Sequence, residues 1–248
     1  MSDSPGARTG RRTPAGRARS RRRRPSALTV VGLVLLVAGL GCVGWVAYQY
    51  FGTNIVAGRA FDSERQDLRQ RWERAGPTPA ADPSSPSSDR APEPEPEPRP
   101  GDATALLRIP AFGADYEIPV LEGTDLDILS GGVGHYPGTA APGEVGNFAL
   151  AGHRVTHGQP FNRLLELEPG DEVVVETRTA VHTYVLDEPP RDLTVDDTAT
   201  WVLDPVPGEP DREPTRALIT LTTCQDLFRS PDRSVGFGHL QSTRNKQG

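Results

Sequence analysis

The chain has 248 residues, of which 35% are hydrophobic and 25 are proline, which excludes a single uninterrupted core; at roughly 150 residues per domain it holds one domain with appendages. Charge is divided: residues 1–26 carry nine arginines against one acid, a balance of +8, and the remainder carries −14 within an overall −6. Two cysteines, one of them in an apolar run, exclude a disulfide framework, and no acidic or histidine cluster has the spacing of a metal site.

Met1 to Ser26 contains Arg21-Arg22-Arg23-Arg24 and no apolar periodicity, so it reads as a solvated basic tail. Beside it, Ala27 to Phe51 is free of charge; as a helix it spans about 37 Å at 1.5 Å per residue, enough to cross a bilayer. The arginines then set topology rather than bind nucleic acid, with the N-terminus cytoplasmic and the chain after Phe51 outside. Trp45, Tyr48, Tyr50 and Phe51 cluster at the far end as an interfacial belt would. The run exceeds a usual signal-peptide core and lacks a cleavage pattern, which favours an uncleaved anchor; Cys42 within it reads as a small apolar-compatible residue.

Asn54 to Ala75 predicts a helix with Phe61, Leu68 and Trp72 on one narrow face, too polar elsewhere to form a core. Nine of the 24 residues from Pro77 to Pro100 are proline. An extended polyproline segment of this length reaches about 75 Å. Residues 52–102 therefore read as an extracytoplasmic stalk holding a domain over residues 103–243 away from the membrane, with 244–248 as a tail.

From Thr104 short apolar runs alternate with Gly and Pro signals, the pattern of an all-β barrel or sandwich. The predicted strands are Ala105–Ile109, Tyr116–Leu121, Asn147–His153, Glu172–Thr177, Val181–Leu186, Ala217–Cys224 and Val235–Leu240. Asp125–Leu129 and Phe161–Leu167 predict a helical turn or two each. The domain is large enough for one buried core.

Cys224 ends an alternating strand, Ala217 to Thr223, and Arg233 follows after a polar run with a Ser230-Pro231-Asp232 turn signal. The two residues then sit on neighbouring strand ends at a common mouth. A lone cysteine in this place is ordinarily a small buried hydrophobe; reactivity needs a base or imidazolium and a cation or N–H donors for a developing oxyanion. Among five histidines, His153 stands out because it too ends an apolar strand, Asn147 to Gly152, and opens a polar loop. His182 and His239 lie within strands, and spacing leaves His135 and His157 open.

Thr220-Leu221-Thr222-Thr223-Cys224, Arg233, and Leu150-Ala151-Gly152-His153-Arg154 resemble the Cys, Arg and His signatures of sortases. Gly134-His135-Tyr136-Pro137-Gly138-Thr139-Ala140-Ala141-Pro142-Gly143-Glu144-Val145-Gly146-Asn147 resembles the actinobacterial class E branch, and the likeness extends over residues 103–240. It implies an eight-stranded sortase barrel, with the additional strand in Gly131–Tyr136. It further implies that Cys224 attacks the Thr–Gly bond of a Leu-Ala-x-Thr-Gly or Leu-Pro-x-Thr-Gly sorting signal on a secreted protein, giving a thioacyl-enzyme. An amine of a peptidoglycan precursor or other acceptor then resolves the intermediate.

By the same resemblance His153 handles the proton of the leaving and entering amines, and Arg233 holds the substrate carbonyl. Thr222, Thr223, His135 and Tyr136 are the expected substrate contacts, and neither metal nor cofactor is implied. The chain departs from the branch at Asp226, where proline is frequent, and at Ser234-Val235-Gly236-Phe237-Gly238, where the strand is more apolar. A hydrolytic cysteine protease and a weakly active domain that binds wall peptides are the alternative functions.

Overall fold

The structure, a computed structural model, describes residues 26–76, 98–224 and 231–246. The basic tail, most of the proline-rich stretch, Asp226 and Ser230 of the expected turn lie outside the described residues. The chain divides into two compact units, with the boundary between Gly44 and Trp45.

Uncharged Leu, Val and Gly residues form α1, Ala27–Ala47, whose side chains are all exposed and which is long and apolar enough to cross a membrane. Ser26 caps it, its Oγ accepting from the Thr29 N–H at 3.2 Å, which satisfies one orphan donor of the first turn. A π-helical turn, Tyr48–Gly52, precedes α2, Thr53–Ala75, close to the helix predicted from its apolar stripe. Gly76 ends α2 at φ 68°, a left-handed conformation glycine adopts without a Cβ clash.

Residues 53–75 are not a free stalk. Ala57, Phe61 and Leu68 are buried, and Leu68 packs with Ala103, Leu106 and Leu121, with Trp72 at the edge. Charges beside the stripe find partners: Arg69 donates to Glu117 at 2.6 Å, Arg65 to the Glu117 carbonyl at 3.3 Å, and Lys246 Nζ lies 4.3 Å from the Trp72 ring centroid. Each fully buried Leu or Phe contributes about 1.5–3 kcal/mol, so a narrow stripe suffices to seat a polar helix when its flanking charges are paired.

The remaining elements close into a barrel. Its strands are β1 Ala103–Arg108, β2 Ile118–Glu122, β3 Val133–His135, β4 Gly146–Gly152, β5 Glu172–Glu176, β6 Ala180–Glu188, β8 Ala217–Cys224 and β9 Asp232–Asn245. They run in the order β6-β5-β1-β2-β3-β4-β8-β9, and β9 pairs back onto β6. All seven predicted strands are present, and the eighth, β3, lies within Gly131–Tyr136. A short strand that sequence did not predict, β7 Thr194–Asp196, lies outside the closed ring and pairs with the start of β9. The helical turns reduce to α3, Leu126–Leu129, and a 3₁₀ turn at Leu164–Glu166.

Inside the barrel, residues such as Leu107, Val120, Phe148, Leu150, Ile219 and Leu221 are at most 1% exposed. The opposite face of β8 carries Thr220 and Thr222. Most pairings are antiparallel, but β2 with β3 and β4 with β8 run parallel. The second of these sets the site, because parallel neighbours finish at the same rim.

Candidate active site

In the β4–β8 register Gly152 is opposite Thr223, so His153 and Cys224 each lie one residue beyond that last shared pair. In the antiparallel β8–β9 register Cys224 is opposite Arg233. Three residues widely spaced in sequence are thus brought to one rim by backbone pairing. The threonines of β8 hold the frame: Thr223 Oγ1 donates to the Gly152 carbonyl at 2.8 Å and Thr222 Oγ1 to the Leu150 carbonyl at 3.1 Å. Deeper, the Thr220 hydroxyl donates to Asn147 Oδ1 at 2.7 Å, while Asn147 Nδ2 donates to the Val202 and Asp204 carbonyls at 3.0 and 3.1 Å. That cluster pins residues 202–204 to the outer face of β4 and β8.

His153 is packed tightly for a rim residue. The Phe161 ring lies against Gly152, where a Cβ would come within 2.6 Å of it, and the Phe161 N–H donates to the His153 carbonyl at 3.0 Å. The His157 ring stacks on His153 with centroids 4.7 Å apart. Burial first, and the neighbouring His157 second, push the His153 imidazole down to about 4, so it is neutral near pH 7. Its Nε2 is buried without a hydrogen-bond partner among the described residues. A buried imidazole nitrogen left unsatisfied is costly unless a reacting group completes it.

Arg233 Nη1 donates to the Asp232 carbonyl at 3.2 Å, and Nη2 lies 3.6 Å from Asp197, just beyond β7. The pairing of β7 with residues 232–234 therefore braces the strand end that carries the guanidinium.

The expected substrate contacts divide. Thr222 and Thr223 are 3% and 2% exposed, with hydroxyls engaged by β4, so they belong to the frame. His135 is also buried: its Nδ1 is 2.8 Å from Glu122, and Nε2 meets Thr139 Oγ1 at 2.9 Å and the Ala140 carbonyl at 3.1 Å. With both nitrogens engaged, it is neither a substrate contact nor an alternative base. Tyr136 alone of the four keeps partial exposure, its hydroxyl 3.2 Å from Thr222 Oγ1. Sequence reasoning missed Asn147 as a buried tie and Asp197 as a partner of Arg233. The first had a signal, a polar residue opening an apolar strand; the second had none. No group of three or more potential metal ligands occurs among the described residues.

A closed barrel with cysteine, histidine and arginine at one rim is the framework of a cysteine-centred acyl-transfer site. The Sortase domain family matches residues 107–241, more than half of the chain. Sortase SrtE1 and Sortase SrtE2 of Streptomyces coelicolor are 34% and 32% identical over 92% and 94% of this chain. The chain spans 62% of the length of the first and 89% of the second. Sortase E from Streptomyces avermitilis matches at 41% identity and TM-score 0.53, covering 59% of this chain and 93% of that one. Sortase E1 from Streptomyces coelicolor, solved with a tripeptide in its active site, matches at 37% identity and TM-score 0.52, covering 60% of this chain and 93% of that one. The chain belongs to the sortase family, a family of cysteine transpeptidases, and falls in its class E branch.

Proposed function

We propose that this protein is a membrane-anchored transpeptidase that cleaves a Leu-Ala/Pro-x-Thr-Gly-type sorting signal between Thr and Gly. It then joins the threonine carbonyl to a cell-wall amine. The observation that carries this reading is the register that sets Cys224 opposite Arg233 and ends β4 and β8 together. The tripeptide in the active site of the Streptomyces coelicolor relative supports a peptide substrate.

Neutral His153 accepts the thiol proton of Cys224, and the thiolate adds to the threonine carbonyl carbon. Arg233 stabilises the oxyanion, the imidazolium returns the proton to the departing glycine nitrogen, and the C–N bond breaks to leave a thioester. An incoming amine adds to the thioester, gives its proton to His153 and expels the thiolate. Tyr136 borders the substrate path beside Thr222.

The test is a fluorescent Leu-Ala-x-Thr-Gly peptide incubated with a glycine-type amine, with products resolved by mass. A thioester on Cys224 and a ligated product are expected. Cleavage without ligation at any amine concentration would mark a hydrolase, and binding without a thioester a peptide-binding domain.

The anchor is α1, with the barrel outside the cell, as the +8 tail and the acidic remainder favour. An impermeant maleimide applied to intact cells should label a cysteine placed at exposed Asp211 in a chain lacking the two native thiols. Labelling only after lysis would reverse the topology.

A further inference from the structure

The loop that follows His153 is held at its tip by α2. Gly158 donates its N–H to Asn54 Oδ1 at 2.9 Å. Its φ is 79°, and a Cβ there would come within 2.6 Å of the Phe61 ring and 3.2 Å of the Ala57 methyl. Both the donor and the open Cα face of the tip therefore meet α2. On either side, His157 and Gln159 have φ of 54° and 52°, the positive values found among the described non-glycine residues. Such conformations are strained for residues with a Cβ and persist where the surroundings over-determine them. Within the loop, the Phe161 N–H donates to the His153 carbonyl, Gln159 Nε2 to the Val155 carbonyl and the Gln159 N–H to the Thr156 carbonyl, while His157 Nδ1 lies 2.9 Å from Thr156 Oγ1; the contacts to Gly158 from outside the loop come from α2.

We propose that the helix after the membrane anchor is a positioning element of the active site, in which Asn54 and Phe61 hold the Gly158 tip so that His157 stays stacked on His153 and fixes its imidazole. This rests on the assignment of His153 above. α2 brings Asn54, Ala57 and Phe61, none ionisable, to the loop. The ionisable residues on and around the loop include Arg154 and His157 within it, Tyr116, whose hydroxyl donates to the Pro160 carbonyl at 2.7 Å, and, on the adjoining strand ends, Cys224, Asp232 and Arg233 with its partner Asp197. Releasing the tip exposes His153 to water and lets its orientation vary, with the fold of the barrel intact.

The experiment uses the full chain in detergent micelles with ¹³C-labelled histidine. The His153 titration is followed by NMR beside kcat and KM for the sorting peptide. Phe61→Ala and Asn54→Ala should raise the His153 midpoint by about a unit or more and lower kcat roughly tenfold with KM little changed. Phe61→Leu, which keeps an apolar side chain against the tip, should restore most of both. Trp72→Ala removes the contact with Lys246 far along the helix; it should lower the melting temperature and leave the His153 midpoint in place. An unmoved midpoint in Phe61→Ala and Asn54→Ala, or an equal shift in Trp72→Ala, would overturn the proposal. The titration is read without turnover, so failure of the transpeptidase assignment shows separately as an absent thioester in the unaltered chain.

Discussion

Cys224 and Arg233 are backbone partners across β8 and β9, although eight residues separate them in sequence. The guanidinium thereby starts from a fixed strand position opposite Cys224. Cys224→Ala should abolish cleavage and transfer, since the acyl intermediate requires the thiol. His153→Ala should cost about 10²–10⁴-fold, the usual contribution of a general acid–base. Arg233→Lys keeps charge but loses the planar fork, so kcat/KM should remain at least tenfold down, by roughly 1.4 kcal/mol or more of transition-state stabilisation. Retained turnover in Cys224→Ala would remove it as nucleophile.

The buried imidazole of His153 links pH to stability. Its folded pKa of about 4 lies below the ordinary 6.5, so the unfolded chain binds more protons between these values and acid favours unfolding. The contribution is present above pH 6.5 and is lost as pH falls toward 4. Between pH 7 and pH 5 the unaltered chain should lose about 2 kcal/mol more stability than His153→Gln. Urea titrations at the two pH values measure it, and equal losses in both proteins would refute the linkage.

His135 offers a contrast, because its three polar contacts lie inside the fold. His135→Ala strands the Glu122 carboxylate, at a cost of roughly 1–3 kcal/mol. The thermal midpoint should fall, while the ratio of kcat/KM for Leu-Ala-x-Thr-Gly and Leu-Pro-x-Thr-Gly peptides stays unchanged. A changed ratio with unaltered stability would return His135 to the substrate path.

Residues 77–97 should be dispensable for chemistry. Replacing them with a short Gly/Ser linker leaves every described contact of α2 and the barrel in place, so peptide turnover should stay within about twofold, a small effect on the scale of mutational free energies. A large loss of turnover or of melting temperature would mean that this segment packs on the barrel.

The eight barrel strands were legible because seven alternate or run apolar and the eighth follows from the family pattern. β7 was not: Thr194-Val195-Asp196 has one apolar residue, and its pairing with β9 is non-local. Strand β9 runs to Asn245, well past the predicted Leu240, because its polar half is drawn into a ladder with β6. Cys224, His153 and Arg233 were readable as strand ends. The burial of His135 was not, since it depends on a parallel pairing that sets Glu122 opposite it. Helix α2 was visible as a helix, but what it rests on was not: an amphipathic stripe names a buried face without naming the surface that covers it.

Arg74, in the last turn of α2, and Gly101, Asp102 and Ala103, at the start of β1, line one cleft, and Arg71 Nη2 donates to the Ala103 carbonyl at 3.2 Å. The chain therefore leaves the helix and re-enters the barrel at nearly the same place. Residues 77–97 are therefore an excursion of sequence between two points that α2 and the barrel already hold together. A single nick in that excursion would leave the two pieces associated through Leu68, Trp72 and the Glu117 ion pairs. Evolution can lengthen or shorten the excursion at little cost, since the entropy of closing a loop changes slowly with its length.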